Sequence, residues 1–371
     1  MSVSKLTTQN FRNLTGDAIF FHPDNNFIIG DNGSGKSSLL EAIFFLGHGK
    51  SFRTSKIDKI VHYEKKQFVV SIKDVNENQL GLRRDTEMSV TDIKINGERQ
   101  SRLSELAKNI AVQIVTPESF KLFFGGPKER RKFVDLGLFH VKHDFSHQWR
   151  EFSRILKQRN ACLRSQDSHS MLDYWTDLFC QHSVFVANNR AAYIERLIDE
   201  LKKWTGLLLP DLSDNINIQY LQGWNQKKEL AEILQQNKAR ELAQGFSLFG
   251  AQKFDVRFLL NKTSIDTLLS RGQQKLFLLA LTFAQAKLIE QVNRVKPILL
   301  IDDIGAELDI NSRTLLAKAI EKLDCQVIIT AIDEVVLEPL VSSDKKYAMF
   351  HVKHGEVLPQ SNVEKTMIVK I

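Results

Sequence analysis

The chain is short of cysteine. Its 371 residues hold three, Cys162, Cys180 and Cys325, with no C-x-x-C pair among them. A disulfide framework and a thiolate zinc site are therefore not expected, and a reducing, cytoplasmic setting fits better. Long hydrophobic runs are lacking too. The longest, Leu276 to Ala284, is broken by Thr282. It falls far short of the roughly 20 residues that cross a bilayer, so no membrane partner is expected. The opening Met1-Ser2-Val3-Ser4-Lys5-Leu6-Thr7-Thr8 has no apolar h-region, so no secretory signal is expected. Glycine (18) and proline (7) follow no strict period, which excludes collagen-like and coiled-coil-only chains. The guanine motif N-K-x-D is also missing. Asn261-Lys262-Thr263-Ser264 lacks its aspartate, which sets GTP aside.

What is present is ordinary globular usage, 43% apolar and 26% charged. At roughly 150 residues per domain, the length suggests two or three domains. The net charge is +7 and the pI about 9.1. That excess favours a polyanionic partner only modestly, since a basic surface kept for solubility has the same charge.

The chain ends read as α/β and the middle as helix. Ala18 to Phe21 and Phe27-Ile28-Ile29 are strand-like, and the second runs into a glycine-rich loop followed by helical spacing over Ser37 to Leu46. Gln67 to Ile72 and Ile93 to Asn96 are strand-like, with Asn96-Gly97 a hairpin signal; Val112 to Val115 is another strand. After Gly125-Gly126-Pro127, residues 128–164 carry helical spacing, on the order of 50 Å if unbroken. Gly137 is the expected break. Met171 to Leu209 and Gln226 to Gln244 are also helical in pattern. The natural reading is two long antiparallel helices forming an arm. Ser270 to Arg294 reads as helix, Ile298 to Ile301 as a buried parallel strand, Asn311 to Leu323 as helix and Cys325 to Thr330 as strand.

Three motifs carry chemistry. Gly30-Asp31-Asn32-Gly33-Ser34-Gly35-Lys36-Ser37, with Ser38 behind it, fits the phosphate-loop pattern in full. Its glycines let backbone N–H groups face phosphates, and the following helix offers its positive end. Lys36 would reach the terminal phosphates and Ser37 would hold Mg²⁺. Ile298 to Ile301 ends in Asp302 and Asp303, the first placed to hold Mg²⁺ and the second to polarise an attacking water as base. Ser270-Arg271-Gly272-Gln273 opens a helix; an ordinary N-cap explains Ser270 alone.

Leu269 to Gln273 resembles the signature motif of ABC-type ATPases, and Gly305-Ala306-Glu307-Leu308-Asp309 resembles their D-loop. Asn10-Phe11-Arg12-Asn13-Leu14 is similar to the start of the SMC and RecF group, and Gly125 to Asp135 to the RecF segment entering the helical middle. Ser270 lies 240 residues after Gly30, far too close for an SMC coiled coil, and no heptads lie between. The resemblance to the RecF family covers essentially the whole chain.

It implies a P-loop ABC-type ATPase head built from both chain ends, with an inserted helical arm. The expected division is 1–124 and 256–371 for the head and 125–255 for the arm. Arg12 joins the phosphate loop in nucleotide binding; Lys36 and Asp303 are the catalytic residues, and Ser37 and Asp302 hold the metal. Ser270, Arg271, Gly272 and Gln273 would act in trans with Asp309, so that two chains sandwich ATP as a homodimer. The implied activity is weak, DNA-stimulated ATP hydrolysis with Mg²⁺. The implied setting is gapped, duplex and single-stranded DNA, with RecR and RecO partners helping RecA loading. The rival readings are a non-hydrolysing SMC-like DNA clamp and a transporter ATPase subunit.

Some positions depart from the wider ABC pattern. Gln113 sits inside a strand where a Q-loop glutamine is wanted, and Glu118 is the acid at the matching turn. Asp303 stands where many relatives have glutamate. No switch histidine follows Val327 to Thr330, leaving Thr330 and Asp333 at that place. Residues 128–164 hold ten cations against four acids, an excess of six. Lys128, Arg130, Arg131, Lys132, Arg150 and Arg154 are the DNA-contact candidates, because cations at this density release counterions from phosphates. A solvated helix face accounts for such a run equally simply. His140, His143 and His147 have helical spacing but no acidic ligand joins them, so no metal role is expected.

Overall fold

The computed structural model describes residues 2–165, 170–292, 296–305, 307–341 and 346–360. They form two units. One takes the described parts of 1–120, 207–210 and 270–371, and the other 121–206 and 211–269. The first stretch runs β1 (Val3–Gln9), β2 (Ile19–Phe20), β3 (Asn25–Ile29), α1 (Lys36–His48), β4 (Gln67–Asp74), β5 (Gln79–Asp85), β6 (Thr91–Ile95), β7 (Glu98–Gln100), α2 (Leu103–Asn109) and β8 (Val112–Val115). The middle holds α3 (Lys121–Phe124), α4 (Pro127–Val141), α5 (Phe145–Arg164), α6 (Leu172–Leu208), β9 (Ile216–Leu221), α7 (Leu230–Gln236), α8 (Lys238–Gln244), β10 (Asp255–Leu260), β11 (Thr263–Ser264) and α9 (Ile265–Leu268). The last stretch is α10 (Arg271–Glu290), β12 (Ile298–Ile301), α11 (Ile310–Glu321), β13 (Gln326–Ala331), β14 (Tyr347–Lys353) and β15 (Glu356–Pro359).

The first unit is built on two six-stranded sheets. One has the order β15-β14-β3-β13-β12-β8, parallel except for the β14–β15 hairpin. Every residue of β3, β12 and β13 is buried. A parallel sheet covered on both faces requires this, and it explains the unbroken apolar runs. Only β13 separates β3 from β12, so the loops leaving both strands open at the same sheet edge, where α/β folds place ligands. The other sheet is antiparallel, β2-β1-β4-β5-β6-β7, and β4 buries every second side chain. Asn96 and Gly97 both take positive φ, 49° and 84°, as a two-residue hairpin turn needs. Gln326 joins the sheets. Its buried side chain accepts from Val3 N at 2.7 Å and donates to Val3 O and His22 O.

The middle unit is mainly helical, but it also carries a three-stranded antiparallel sheet, β11-β10-β9, that the sequence pattern did not indicate. The helical stretch 128–164 breaks at Lys142–Asp144 rather than at Gly137, which is buried inside α4. Residues 226–244 form two short helices meeting at Asn237 instead of one. α5 and α6 pack through the stacked rings of Phe152 and Phe179, with centroids 5.7 Å apart. Helix α10 ends at Glu290; Arg294, where its end was expected, lies outside the described residues. Among the described residues no helix is long and apolar enough to cross a membrane.

Candidate functional site

The site begins with β3, which delivers the chain to residues 30–35 and then to α1. Gly30, Gly33 and Gly35 all have positive φ (150°, 80° and 123°). Glycine is required at Gly30 for space as well, since a Cβ there would stand 2.3 Å from Val352 O. The N-terminus of α1 has no side-chain cap, so its first N–H groups remain available to an anion. Lys36 curls back over the loop and donates to the carbonyls of Gly30 and Asp31 (2.9 Å to the latter). Burial pulls its ammonium below the usual lysine range, offset by the charges of Asp302, Asp303 and Asp31.

From β12 come the two acids. Asp302 is 6% exposed, and its Oδ1 accepts from Ser37 Oγ at 3.1 Å and Thr330 Oγ1 at 2.7 Å. Burial pushes its carboxyl above the usual range, against the pull of those two hydroxyls. Asp303 has φ of +53°, uncommon outside glycine. The turn is held at both ends: its N–H donates to Thr330 Oγ1 at 2.9 Å, and its carbonyl accepts from Lys275 Nζ at 2.7 Å. Asp303 Oδ1 is buried with no hydrogen-bond partner among the described residues. Thr330 thus orients both acids, whereas Asp333 only closes a local turn by accepting from Val336 N.

These groups line a cleft of about 720 Å³. Asn32, Gly33, Gly35, Lys36, Ser37, Ser38, Asp302 and Asp303 line it, as do Arg12, Asn13 and Glu118. Gly30, Asp31 and Ser34 are not among its lining residues. Gln113, buried in β8, is not a lining residue either. Arg12 reaches the cleft because Phe11 is fully buried, edge-on to Phe45 and Phe68, which anchors a turn where Arg12 has φ of +53°. Its guanidinium binds Glu41 through Nε (2.8 Å) and Nη2 (2.7 Å). Glu41, on α1, is fully buried and also takes Ser51 and approaches Arg53. Sequence reasoning missed Glu41, Asn13, Lys275 and Arg53. The only local signal was an acid on the apolar face of α1.

The signature residues stand apart from this cleft: none of Ser270, Arg271, Gly272 or Gln273 lines it. Ser270 and Gln273 form a reciprocal capping box at the start of α10. The Arg271 guanidinium lies 5.5 Å from the centre of the Phe120 ring. A Cβ on Gly272 would meet Glu307 O at 2.9 Å. Asp309 caps α11 by accepting from Ser312 N at 2.7 Å, and that bond holds its carboxyl below the usual range. Ala306, next to Glu307, lies outside the described residues.

The basic segment divides in two. Arg130 forms a two-point ion pair with Asp255 at 2.8 Å, and Arg131 donates to Phe254 O. Both side chains are engaged in holding the middle unit. Arg159 is buried against Glu241. Lys128, Lys132, Arg150 and Arg154 are exposed, with Lys132 and Arg154 paired to Glu129 and Glu151. Asp255 and Glu241 lie outside residues 128–164, so the surface excess there is smaller than composition suggests.

A family profile described as RecF/RecN/SMC N terminal domain matches residues 2–357. A protein of Colwellia psychrerythraea named DNA replication and repair protein RecF is 65% identical over 372 residues, covering 98% of this chain and 99% of the relative. One of the same name from Pseudoalteromonas translucida is 40% identical, covering 96% and 100%. A solved structure described as recombination mediator protein RecF-ATP in the RecFOR pathway superposes with a TM-score of 0.82 at 24% identity, covering 97% and 98%. An Smc head bound to the C-winged helix domain of ScpA follows at 0.58 and 17%, covering 97% of each chain. The two structures share the head fold, mixed α/β with a helical insertion. By the profile and the two sequence relatives, this chain belongs to the RecF family of DNA replication and repair proteins.

Proposed function

We propose that this chain is an ATP-dependent DNA-binding protein of recombinational repair and replication. It dimerises on ATP at gapped or single-strand/duplex junction DNA, hydrolyses ATP slowly under DNA stimulation, and helps RecA loading with RecR- and RecO-like partners in the cytoplasm. One observation carries the nucleotide part. Ser37 and Asp302, 265 residues apart, come within 3.1 Å at the mouth of an uncapped helix.

In this reading, residues 30–38 cradle the phosphates, and Lys36 leaves its loop carbonyls for the terminal phosphates. Asp303, whose Oδ1 has no partner among the described residues, takes the proton of the attacking water. Ser37 and Asp302 offer hard oxygen donors that suit Mg²⁺. Among the described residues no three or more His, Cys, Asp or Glu gather to hold a metal unaided, and Mg²⁺ shared with a nucleotide needs only one or two protein ligands. The ion would neutralise charge on the phosphates. Because the signature lies off the cleft, a second copy would supply Ser270 to Gln273, which supports the homodimer.

The test is ATP turnover with and without DNA, and binding to gapped, duplex and single-stranded DNA with and without ATP. Lys36→Arg should drop turnover to near background, because a broad planar guanidinium does not replace the ammonium. Ser270→Arg should abolish ATP-dependent dimerisation by light scattering while each chain still binds ATP. Parent-rate turnover in the first variant, or parent-like dimerisation in the second, overturns the corresponding half of the reading.

A further inference from the structure

The phosphate loop is held by two segments outside it, one before it in the chain whose Asn13 also lines the cleft and one more than 300 residues later. At the tip of the β14–β15 hairpin, His354 and Gly355 have φ of 50° and 86°. Gly355 N donates to Ser34 O at 2.7 Å, and Gly355 O accepts from Thr15 N at 3.2 Å. From the other end of the chain, Asn13 Nδ2 lies 3.3 Å from Ser34 O and 3.5 Å from Gly33 O. Its Oδ1 accepts from Ser38 Oγ at 3.0 Å, which fixes the amide's orientation. The fit leaves no slack. A Cβ on Gly355 would stand 1.7 Å from Asn13 O, and one on Gly35 3.3 Å from Asn13 Nδ2.

A trans peptide is planar, and its C=O and N–H point in opposite directions. Gly355, which does not line the cleft, holds Ser34 O and so turns the N–H of Gly35, a lining residue, toward the cleft. We propose that Asn13 and Gly355 are positioning residues that pre-set the Ser34–Gly35 peptide to donate to the β-phosphate of a nucleoside di- or triphosphate. The inference rests on reading the cleft as a nucleotide site. A loop aimed before the ligand arrives avoids the cost of ordering it on binding. Its effect falls on ground-state affinity for anything with a β-phosphate, not on the chemical step.

Asn13→Asp is the sharpest variant. It replaces the amide donor by an acceptor facing two carbonyls and leaves the oxygen that takes Ser38. Dissociation constants for ATP and ADP should both rise, about tenfold to a hundredfold for one lost and repelled hydrogen bond. The kcat at saturation should stay within about threefold and the melting temperature should hold, since an interaction made equally before and during reaction acts on binding alone. Asn13→Leu, which removes the donor without placing a charge at a cleft-lining position, should give a smaller rise in the same direction and separates lost positioning from direct repulsion of the phosphates. Gly355→Ala carries the clash and serves as the steric counterpart, read together with its melting curve. If the parent binds ATP and Asn13→Asp binds ATP and ADP as tightly, the positioning role is overturned. It is equally overturned if Asn13→Asp loses active fraction while the remaining fraction keeps the parent affinity. If the parent itself binds neither nucleotide, the nucleotide reading falls, and this inference falls with it.

Discussion

Both units bury charge, and the cleft of the first treats it differently from the interior of the second. In the middle unit Arg159 and Arg190 are each 2% exposed, and every guanidinium edge is closed. Arg159 binds Glu241, Ser247 and Thr176. Arg190 takes Asp135 at two points, donates to Ala251 O and lies 3.7 Å from the centre of the Phe254 ring. In the first unit Lys36 has only loop carbonyls, and Asp302 and Asp303 face a cleft. A buried ion enclosed by partners fixes packing. Lys36 and Asp302, buried at the edge of a cleft, have perturbed proton affinities, the first lowered and the second raised by burial, and are poised to exchange their partners for a ligand.

The largest expected effect breaks the closed side. Glu241→Ala leaves Arg159 buried without its counter-ion and should cost about 3–5 kcal/mol of unfolding free energy. Urea unfolding would measure it, and nucleotide affinity under native conditions should be unchanged. Next comes the open side. Asp303→Asn should lower ATP turnover about a hundredfold or more, the usual worth of a positioned general base, while ATP still binds and stability holds. Equal turnover in a single-turnover assay would show that Asp303 is not the base.

A smaller effect is set by pH. Burial holds His140, on α4, down at about 4 against an ordinary value of 6.5. The unfolded chain therefore binds the extra proton first, and stability is lost as pH falls from 6.5 toward 4. With the partial exposure of the ring, the expected loss is about 1–2 kcal/mol. His140→Phe should flatten that acid limb in thermal melts. The smallest change tests the exposed cations. Lys132→Ala removes a surface pair with Glu129 and should alter stability by less than about 0.5 kcal/mol. If Lys132 meets a DNA phosphate, the salt slope of DNA binding should fall by about 1.

The elements nearest the cleft were legible because their signals are local. β3, the glycine loop and α1 follow each other within 24 residues, 25–48, and β12 is an unbroken apolar run ending in two acids. The middle unit was less legible. β9 spans only six residues and finds β10 more than thirty residues later. The bend after α4 occurs where Lys142 is extended, with no glycine or proline to announce it. Gly137 misled because a buried helical glycine and a helix-breaking one are the same letter.

Sequence alone determined the chemistry on offer: a complete phosphate loop, an acid pair ending a buried strand, a capped signature helix and a basic middle. These depend on residue type and on spacings of a few residues, which backbone geometry converts directly into structure. Tertiary structure decided which charges stay open. Whether Arg130 is a surface cation or half of an ion pair depends on Asp255, 125 residues away. Whether the phosphate loop is held ready depends on Gly355 and Asn13, near opposite ends of the chain. Such pairings leave no periodic trace, because they are selected by the packing of whole sheets and not by the local path of the chain.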